Sequence, residues 1–110
     1  MAAKKHSSPN FLDENLEAHF RALSQKWQNE TGHLSSTARM AQHPAYQEII
    51  SMGIAVVPLL LTQLQRNPDF WFAALRTITG ENPVPPGSAG KLKEMAHAWI
   101  EWGLENGYIE

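Results

Sequence analysis

Histidines with nearby carboxylates are the side chains whose types and spacing could support chemistry in this chain. The clearest spacing is Glu94-Met95-Ala96-His97, which matches the Glu-x-x-His step of di-iron helical bundles. A complete site of that kind also needs a second step and two more glutamates on facing helices. The predicted last helix supplies one step, so ordinary surface residues are the simpler interpretation. A metal site stays an alternative that a homodimer would have to complete.

His43 is the second candidate for chemistry, because Glu48 lies about one helical turn further along. A hydrolase would also need a nucleophile or a metal. Ser35 and Ser36 lie nearby, but both are better explained as helix caps. We expect His43, which precedes Pro44, to start a helix and to bond to the backbone. We therefore assign no catalytic residue and no cofactor. A small metal-dependent or acid–base enzyme using His97 and Glu94, or His43, stays an alternative.

Composition excludes several classes of function. The chain has 110 residues, 43% hydrophobic and 18% charged, which indicates one globular domain. Its net charge of −2 disfavours binding to a nucleic-acid backbone. It contains no cysteine, which excludes disulfides and thiol catalysis and fits a reducing compartment. The first residues lack the apolar stretch of a signal peptide, and no apolar run is long enough for a membrane span. We expect a cytoplasmic protein.

Helical periodicity dominates the chain. We predict a flexible tail over residues 1–9 and a single helical domain over residues 10–110. The first helix should run from Phe11 to Glu30, followed by helices over residues 37–42 and 44–52. An irregular segment with three prolines and three glycines, residues 80–90, should then lead into a last helix over residues 89–106 capped by Ser88. Its packing face should include Leu104.

Two apolar helices between Gly53 and Gly80, joined by an Asn-Pro-Asp turn, form the predicted centre. The first should bury a stripe that includes Ile54 and Leu61, and Asp69 should cap the second, which runs from Phe70 to Thr79. This run, with Pro58 early in its helix, resembles a HEAT-like helical repeat unit over about residues 49–80. The resemblance implies a helical hairpin within a compact bundle. The whole chain also resembles small uncharacterised bacterial proteins, which implies no particular activity.

Aromatic residues exceed what one helical stripe can bury. Phe70, Trp71 and Phe72 are consecutive, so we expect Phe70 or Phe72 to be exposed, and Trp102 lies at the margin of its stripe. Exposed aromatics are typical anchors of protein interfaces. The proline-rich segment is rigid and is a second candidate contact surface. The predicted partner-binding residues are therefore Phe70, Phe72, Glu81, Asn82, Pro83, Pro85, Pro86 and Trp102.

These patterns predict an all-α compact bundle of five to six helices with a central HEAT-like hairpin. The function that they favour is a non-catalytic protein–protein interaction module, either a small adaptor or an antitoxin- or immunity-type partner of another protein. An RNA-binding module that stacks bases on its aromatics is a further alternative, which the absence of a basic groove disfavours. Self-association into a homo-oligomer is left open.

Overall fold

The computed structural model describes residues 11–110, with side chains from Glu14 onward. No strand occurs in this part of the chain, which confirms the predicted all-α bundle. Two short 3-10 turns, Gly53–Val56 and Pro86–Ser88, interrupt the connections. The predicted tail over residues 1–9 lies outside the described residues. The α-helices are α1 (Phe11–Thr31), α2 (Thr37–Ala41), α3 (Pro44–Ser51), α4 (Val57–Arg66), α5 (Phe72–Thr79) and α6 (Leu92–Glu105).

The starts of α2 and α3 follow from local side-chain bonds. The Ser36 hydroxyl accepts a hydrogen bond from the Arg39 amide at 3.3 Å and caps α2. His43 caps α3, because its Nδ1 accepts a bond from the Ala45 amide at 3.0 Å. Pro44 follows in the first turn, where its missing N–H leaves no helical bond unmade. Both predicted helix starts are confirmed.

Aromatic side chains build the centre of the core. Phe20 and Trp27 on α1 meet Tyr46 on α3 and Trp71 before α5, with ring centroids 4.4 to 5.8 Å apart in the contacting pairs. The Trp27 indole N–H donates to the Met40 carbonyl at 2.8 Å and so ties α1 to α2. The bond satisfies the buried indole N–H of Trp27 and so also fixes how this side chain enters the core.

The start of α5 differs from its prediction. The helix begins at Phe72, and its first residues have no capping side chain of their own. Asp69 instead accepts a bond from the Phe70 amide at 2.8 Å, one residue along the turn. The cap comes from α3: the Tyr46 hydroxyl accepts from the Ala74 amide at 3.0 Å and donates to the Phe70 carbonyl at 2.9 Å. Tertiary structure therefore supplies what the local sequence does not.

Three further local predictions are wrong. Ile54 is 52% exposed, because it lies in the 3-10 turn before α4 rather than on the α-helical stripe. Leu104 is 46% exposed, although its neighbour Gly103 in the same turn of α6 is buried. Ser88 belongs to the second 3-10 turn and does not cap α6; the residue before the helix is Lys91, which forms no side-chain cap.

A close approach joins α4 to α6. Gly103 on α6 is buried, and a methyl group built on it would lie 2.6 Å from the Cδ1 atom of Leu61. The Gly103 carbonyl also accepts bonds from the Tyr108 and Ile109 amides, so the residues after α6 fold back over it. Glycine at this point lets the two helices touch through their backbones and side chains without an intervening Cβ.

Within residues 11–110, no single helix is both long and apolar enough to cross a membrane. The segments Pro44–Ser51 and Gly53–Arg66 meet the length and composition test only when taken together, and they meet at an angle of 110°. Their apolar side chains include Tyr46, Ile49 and Leu60, which are fully buried in the core.

Candidate functional site

Residues 80–91 form the proline-rich loop that joins α5 to α6, and a cleft lies on each side of it. Pro85 contributes to the walls of both clefts. Three prolines restrict the backbone of the loop, so its surface is held in one shape at little entropic cost on binding. The Asn82 side chain stiffens it further, because its Oδ1 accepts a bond from the Val84 amide at 3.3 Å.

One of the two clefts, which we call the apolar cleft, has a volume of about 650 Å³. That volume lies within the range of about 300–1,000 Å³ that is typical of binding sites. Its walls come from α2, α5, α6 and the loop, and none of its described lining residues carries a carboxylate. The lining residues are Thr37, Ala38, Ala41, Phe70, Phe72, Ala73, Arg76, Asn82, Val84, Pro85, Pro86, Ala89, Gly90, Met95 and Trp99.

The other cleft, which we call the acidic cleft, has a volume of about 450 Å³. It lies between the loop and the outer face of α6. Three glutamates line it against one lysine and one histidine. Glu101 pairs with the His97 imidazole at 3.0 Å, and Glu94 accepts a bond from the Ser88 hydroxyl at 2.8 Å. The lining residues are Pro83, Pro85, Ser88, Lys93, Glu94, His97, Ala98, Glu101, Trp102 and Glu105.

The structure brings most of the predicted partner-binding residues to these two clefts. Phe70, Phe72, Asn82, Pro85 and Pro86 line the apolar cleft. Pro83, Pro85 and Trp102 line the acidic cleft. Glu81 is exposed and lines neither. The sequence pattern therefore marks the loop, which borders both clefts. It does not show that the predicted residues belong to two separate sites.

The expectation that Phe70 or Phe72 is exposed is wrong. Phe72 is only 6% exposed, and Phe70 is half-buried with its ring edge against Phe72, at 6.3 Å between centroids. The chain turns sharply before α5, so Trp71 precedes the helix and the three aromatics do not share one helical surface. Trp71 and Phe72 are buried and Phe70 is half-buried, so none of the three rings is fully exposed to solvent.

Trp102 is also partly used by the fold. Its ring stacks on Tyr108 at 5.2 Å and meets Trp99 edge-on at 5.2 Å between centroids. The side chain is half-buried, and part of it forms the wall of the acidic cleft. Tyr108 reaches this position because the chain folds back after α6. Trp102 is therefore a packing residue with one accessible side.

The Glu94–His97 step forms two separate surface contacts. Glu94 faces Ser88 across the acidic cleft, whereas His97 turns toward Glu101, one turn further along α6. Within the described part of the chain, no three histidine or carboxylate side chains lie close enough together to hold a metal ion. A metal site built from this step would need ligands from outside residues 11–110 of one chain.

His43 has both ring nitrogens occupied. Its Nδ1 accepts from the Ala45 amide, so the proton is on Nε2, which donates to Glu30 Oε1 at 2.7 Å. The bonds from Lys26 and then from His43 hold the pKa of Glu30 below its ordinary value. A general base needs a free nitrogen directed toward its substrate. In this structure His43 serves as a helix cap and a link to α1.

Sequence reasoning did not identify the contribution of α2 or of Arg76. Thr37, Ala38 and Ala41 form one wall of the apolar cleft, although α2 buries no residue of its own. A five-residue helix carrying small side chains and no apolar stripe was the available signal. Arg76 lies in the last turn of α5, where the helix dipole favours a cation, so its position has a local explanation as well.

No protein-family model matches the chain, and neither the curated proteins nor the solved structures contain a match.

Proposed function

We propose that this protein is a non-catalytic interaction module that binds a segment of another protein in the apolar cleft. Within this class it acts as a small adaptor or as an antitoxin- or immunity-type partner. The observation that supports the proposal is the cleft itself. A concave, mostly apolar cleft with a volume of about 650 Å³ opens beside a rigid loop. Apolar concave surface of this size is typical of ligand and peptide sites.

The arrangement of the walls suits a peptide segment. Ala38 and Ala73 present short side chains from α2 and α5, which leaves room between the two helices. Phe70 and Met95, which are both half-buried, supply apolar surface for side chains of a partner. Because the prolines hold the loop in place, binding needs little ordering of this protein. The resemblance of the α4–α5 region to a HEAT-like unit supports the same class of function, since such hairpins commonly present surfaces to other proteins.

The first experiment is a pull-down from the native host with the tagged protein, followed by mass spectrometry. The cleft variant is Ala73→Trp, which places a large ring in the cleft from an exposed position on α5. Its matched control is Ala22→Trp, at an exposed position on α1 away from both clefts. Circular dichroism and thermal melting check that both variants fold.

We expect one stoichiometric partner with the wild type and with Ala22→Trp, and its loss with Ala73→Trp. Occlusion by a bulky side chain should reduce binding at least about tenfold, because the partner's apolar side chains lose their place in the cleft. A partner that binds Ala73→Trp as well as the wild type would move the interface elsewhere. Recovery of the protein alone, as a monomer, would remove the support for an interaction module.

A further inference from the structure

We infer that the segment bound in the apolar cleft is apolar and carries a carboxylate that pairs with Arg76. This inference rests on the proposed function and specifies the chemistry of its partner. The apolar part follows from the walls, where the half-buried side chains of Phe70, Val84 and Met95 offer hydrocarbon and aromatic surface in place of water contacts. Such walls favour a partner that brings apolar side chains of its own.

Arg76 determines the preferred charge. It is exposed in the last turn of α5 and lines the cleft. Among the described residues it forms no ion pair. A guanidinium group presents a planar set of donors that matches a carboxylate in two parallel hydrogen bonds. A carboxylate beside the apolar walls would be partly shielded from water, which strengthens its attraction to Arg76.

Asn82 adds a second donor to the described walls of the cleft, and the Thr37 hydroxyl can either donate or accept. The Asn82 Oδ1 already accepts from the Val84 amide, so the Asn82 NH₂ group is the part that can bond to a partner. The described walls thus combine donors with apolar surface and hold no carboxylate. Their complement is a segment rich in acceptors.

The acidic cleft provides discrimination from the other side of the loop. Its glutamates, among them Glu94, Glu101 and Glu105, would repel an acidic segment and attract a basic one. The two clefts share Pro85 as a wall, so a segment reaching the loop meets opposite charges on its two sides. An acidic apolar segment is therefore directed to the Arg76 side, and a segment of the wrong sign is excluded from it.

The test uses a phage-displayed library of random 12-residue peptides as the probe. The library is selected in parallel against the wild type, Arg76→Glu and Arg66→Glu. Arg66 is a matched control, because it is also an exposed arginine in the last turn of a helix but lies outside both clefts. Ala73→Trp identifies the peptides that occupy the apolar cleft. Affinities of the enriched peptides are then measured by titration.

We expect cleft-dependent peptides selected by the wild type to combine apolar residues with Asp or Glu. Arg76→Glu should weaken their binding about tenfold or more, the loss of one charge-assisted contact, and should select Lys or Arg instead. Arg66→Glu should change their affinity less than about twofold. Cleft-dependent peptides without acidic residues, or acidic peptides that bind Arg76→Glu equally well, would overturn the inference and leave the proposed function standing. No peptide blocked by Ala73→Trp would overturn both.

Discussion

Tyr46 on α3 completes the start of α5, although it lies far from that helix along the chain. Its hydroxyl bonds to the Phe70 carbonyl and to the Ala74 amide, which is 28 residues further along the chain. The first amides of any helix lack partners within the helix. At the start of α5 one of them is buried, so a polar atom from elsewhere must satisfy it. Tyr46 supplies that atom while its ring packs against Trp71.

Replacing Tyr46 with phenylalanine should lower the free energy of unfolding by about 1–3 kcal/mol, because the Ala74 amide stays buried without an acceptor. Tyr108→Phe is the matched control, since Tyr108 is the other tyrosine and is only half-buried. Urea unfolding followed by circular dichroism measures both variants. Equal stability of Tyr46→Phe and the wild type would show that the hydroxyl contributes nothing net to the cap.

The same substitution should change how stability depends on pH. Burial raises the pKa of Tyr46 to about 12, above the ordinary value of 10.0. Because the folded state holds this proton more tightly, the contribution of Tyr46 is complete below pH 10 and is lost as the pH rises toward 12. The wild type should therefore lose on the order of 2–3 kcal/mol more than Tyr46→Phe across that interval. Parallel pH profiles of the two proteins would contradict this assignment.

At the scale of elements, the contact between α4 and α6 depends on the absence of a Cβ atom at Gly103. Leu61 is fully buried, and its Cδ1 atom occupies the space where a Cβ on residue 103 would lie. Glycine lowers the intrinsic stability of a helix by about 1 kcal/mol relative to alanine. Its presence inside α6 therefore indicates that close packing outweighs the local helix preference. The Ile109 side chain lies over the same point, at 3.2 Å from the position of that Cβ.

We expect Gly103→Ala to destabilise the protein by about 1 kcal/mol net, because overpacking costs about 1–3 kcal/mol and the helix preference of alanine offsets about 1 kcal/mol. Leu61→Ala should cost about 2–5 kcal/mol by leaving a cavity. In the Leu61→Ala background the contact at 2.6 Å is removed and the contact with Ile109 remains, so Gly103→Ala should cost less there than in the wild type. Denaturant titrations of the four proteins complete the cycle.

Gly87→Ala is the control for this cycle, since a Cβ there meets nothing within 4 Å. It should change stability by less than about 0.5 kcal/mol. An identical cost for Gly103→Ala in both backgrounds would mean that the contact with Leu61 is not the reason for glycine.

At the scale of the whole molecule, one loop separates two surfaces of different character. The apolar cleft holds Arg76 and no described carboxylate, and the acidic cleft holds three glutamates. The outer face of α6 forms most of the acidic cleft, and Glu101 and Glu105 stand near the negative end of that helix. Those charges oppose the helix dipole. The pair with His97 offsets the charge of Glu101, and a role of these glutamates in excluding acidic segments is consistent with the proposed partner.

The Trp102→Ala substitution distinguishes the two clefts, because Trp102 lines the acidic cleft and not the apolar cleft. Because the Trp102 ring packs on Trp99 and Tyr108, we expect its loss to reduce stability by about 1–3 kcal/mol. The partner of the apolar cleft should bind the variant with unchanged affinity, since Trp102 lines the other cleft. Titration at a temperature where the variant is fully folded measures this. A large loss of affinity would place the partner across both clefts.

Much of the fold follows from local rules. The predicted bounds of α1, α2 and α3 agree with the structure to within one residue, because the Ser36 cap, the His43 cap and Pro44 act through their immediate neighbours. Gly53 and Gly80 close helices with φ of 72° and 75°, as glycine permits. The α5 start and the exposure of Ile54 were mispredicted, since a tertiary bond and a 3-10 turn override helical periodicity there. The HEAT-like resemblance stays a prediction.

The residues alone predict a helical chain, both ends of α1, α2 and α3 to within one residue, and a proline-rich loop with a restricted backbone. These properties depend on backbone preferences and on bonds between residues a few positions apart. Tertiary packing brings the Tyr46 hydroxyl to the start of α5, Gly103 against Leu61, and Arg76 to the edge of an apolar cleft bordered by α2. Each of these joins residues distant along the chain, and neither helical periodicity nor local propensity contains that information.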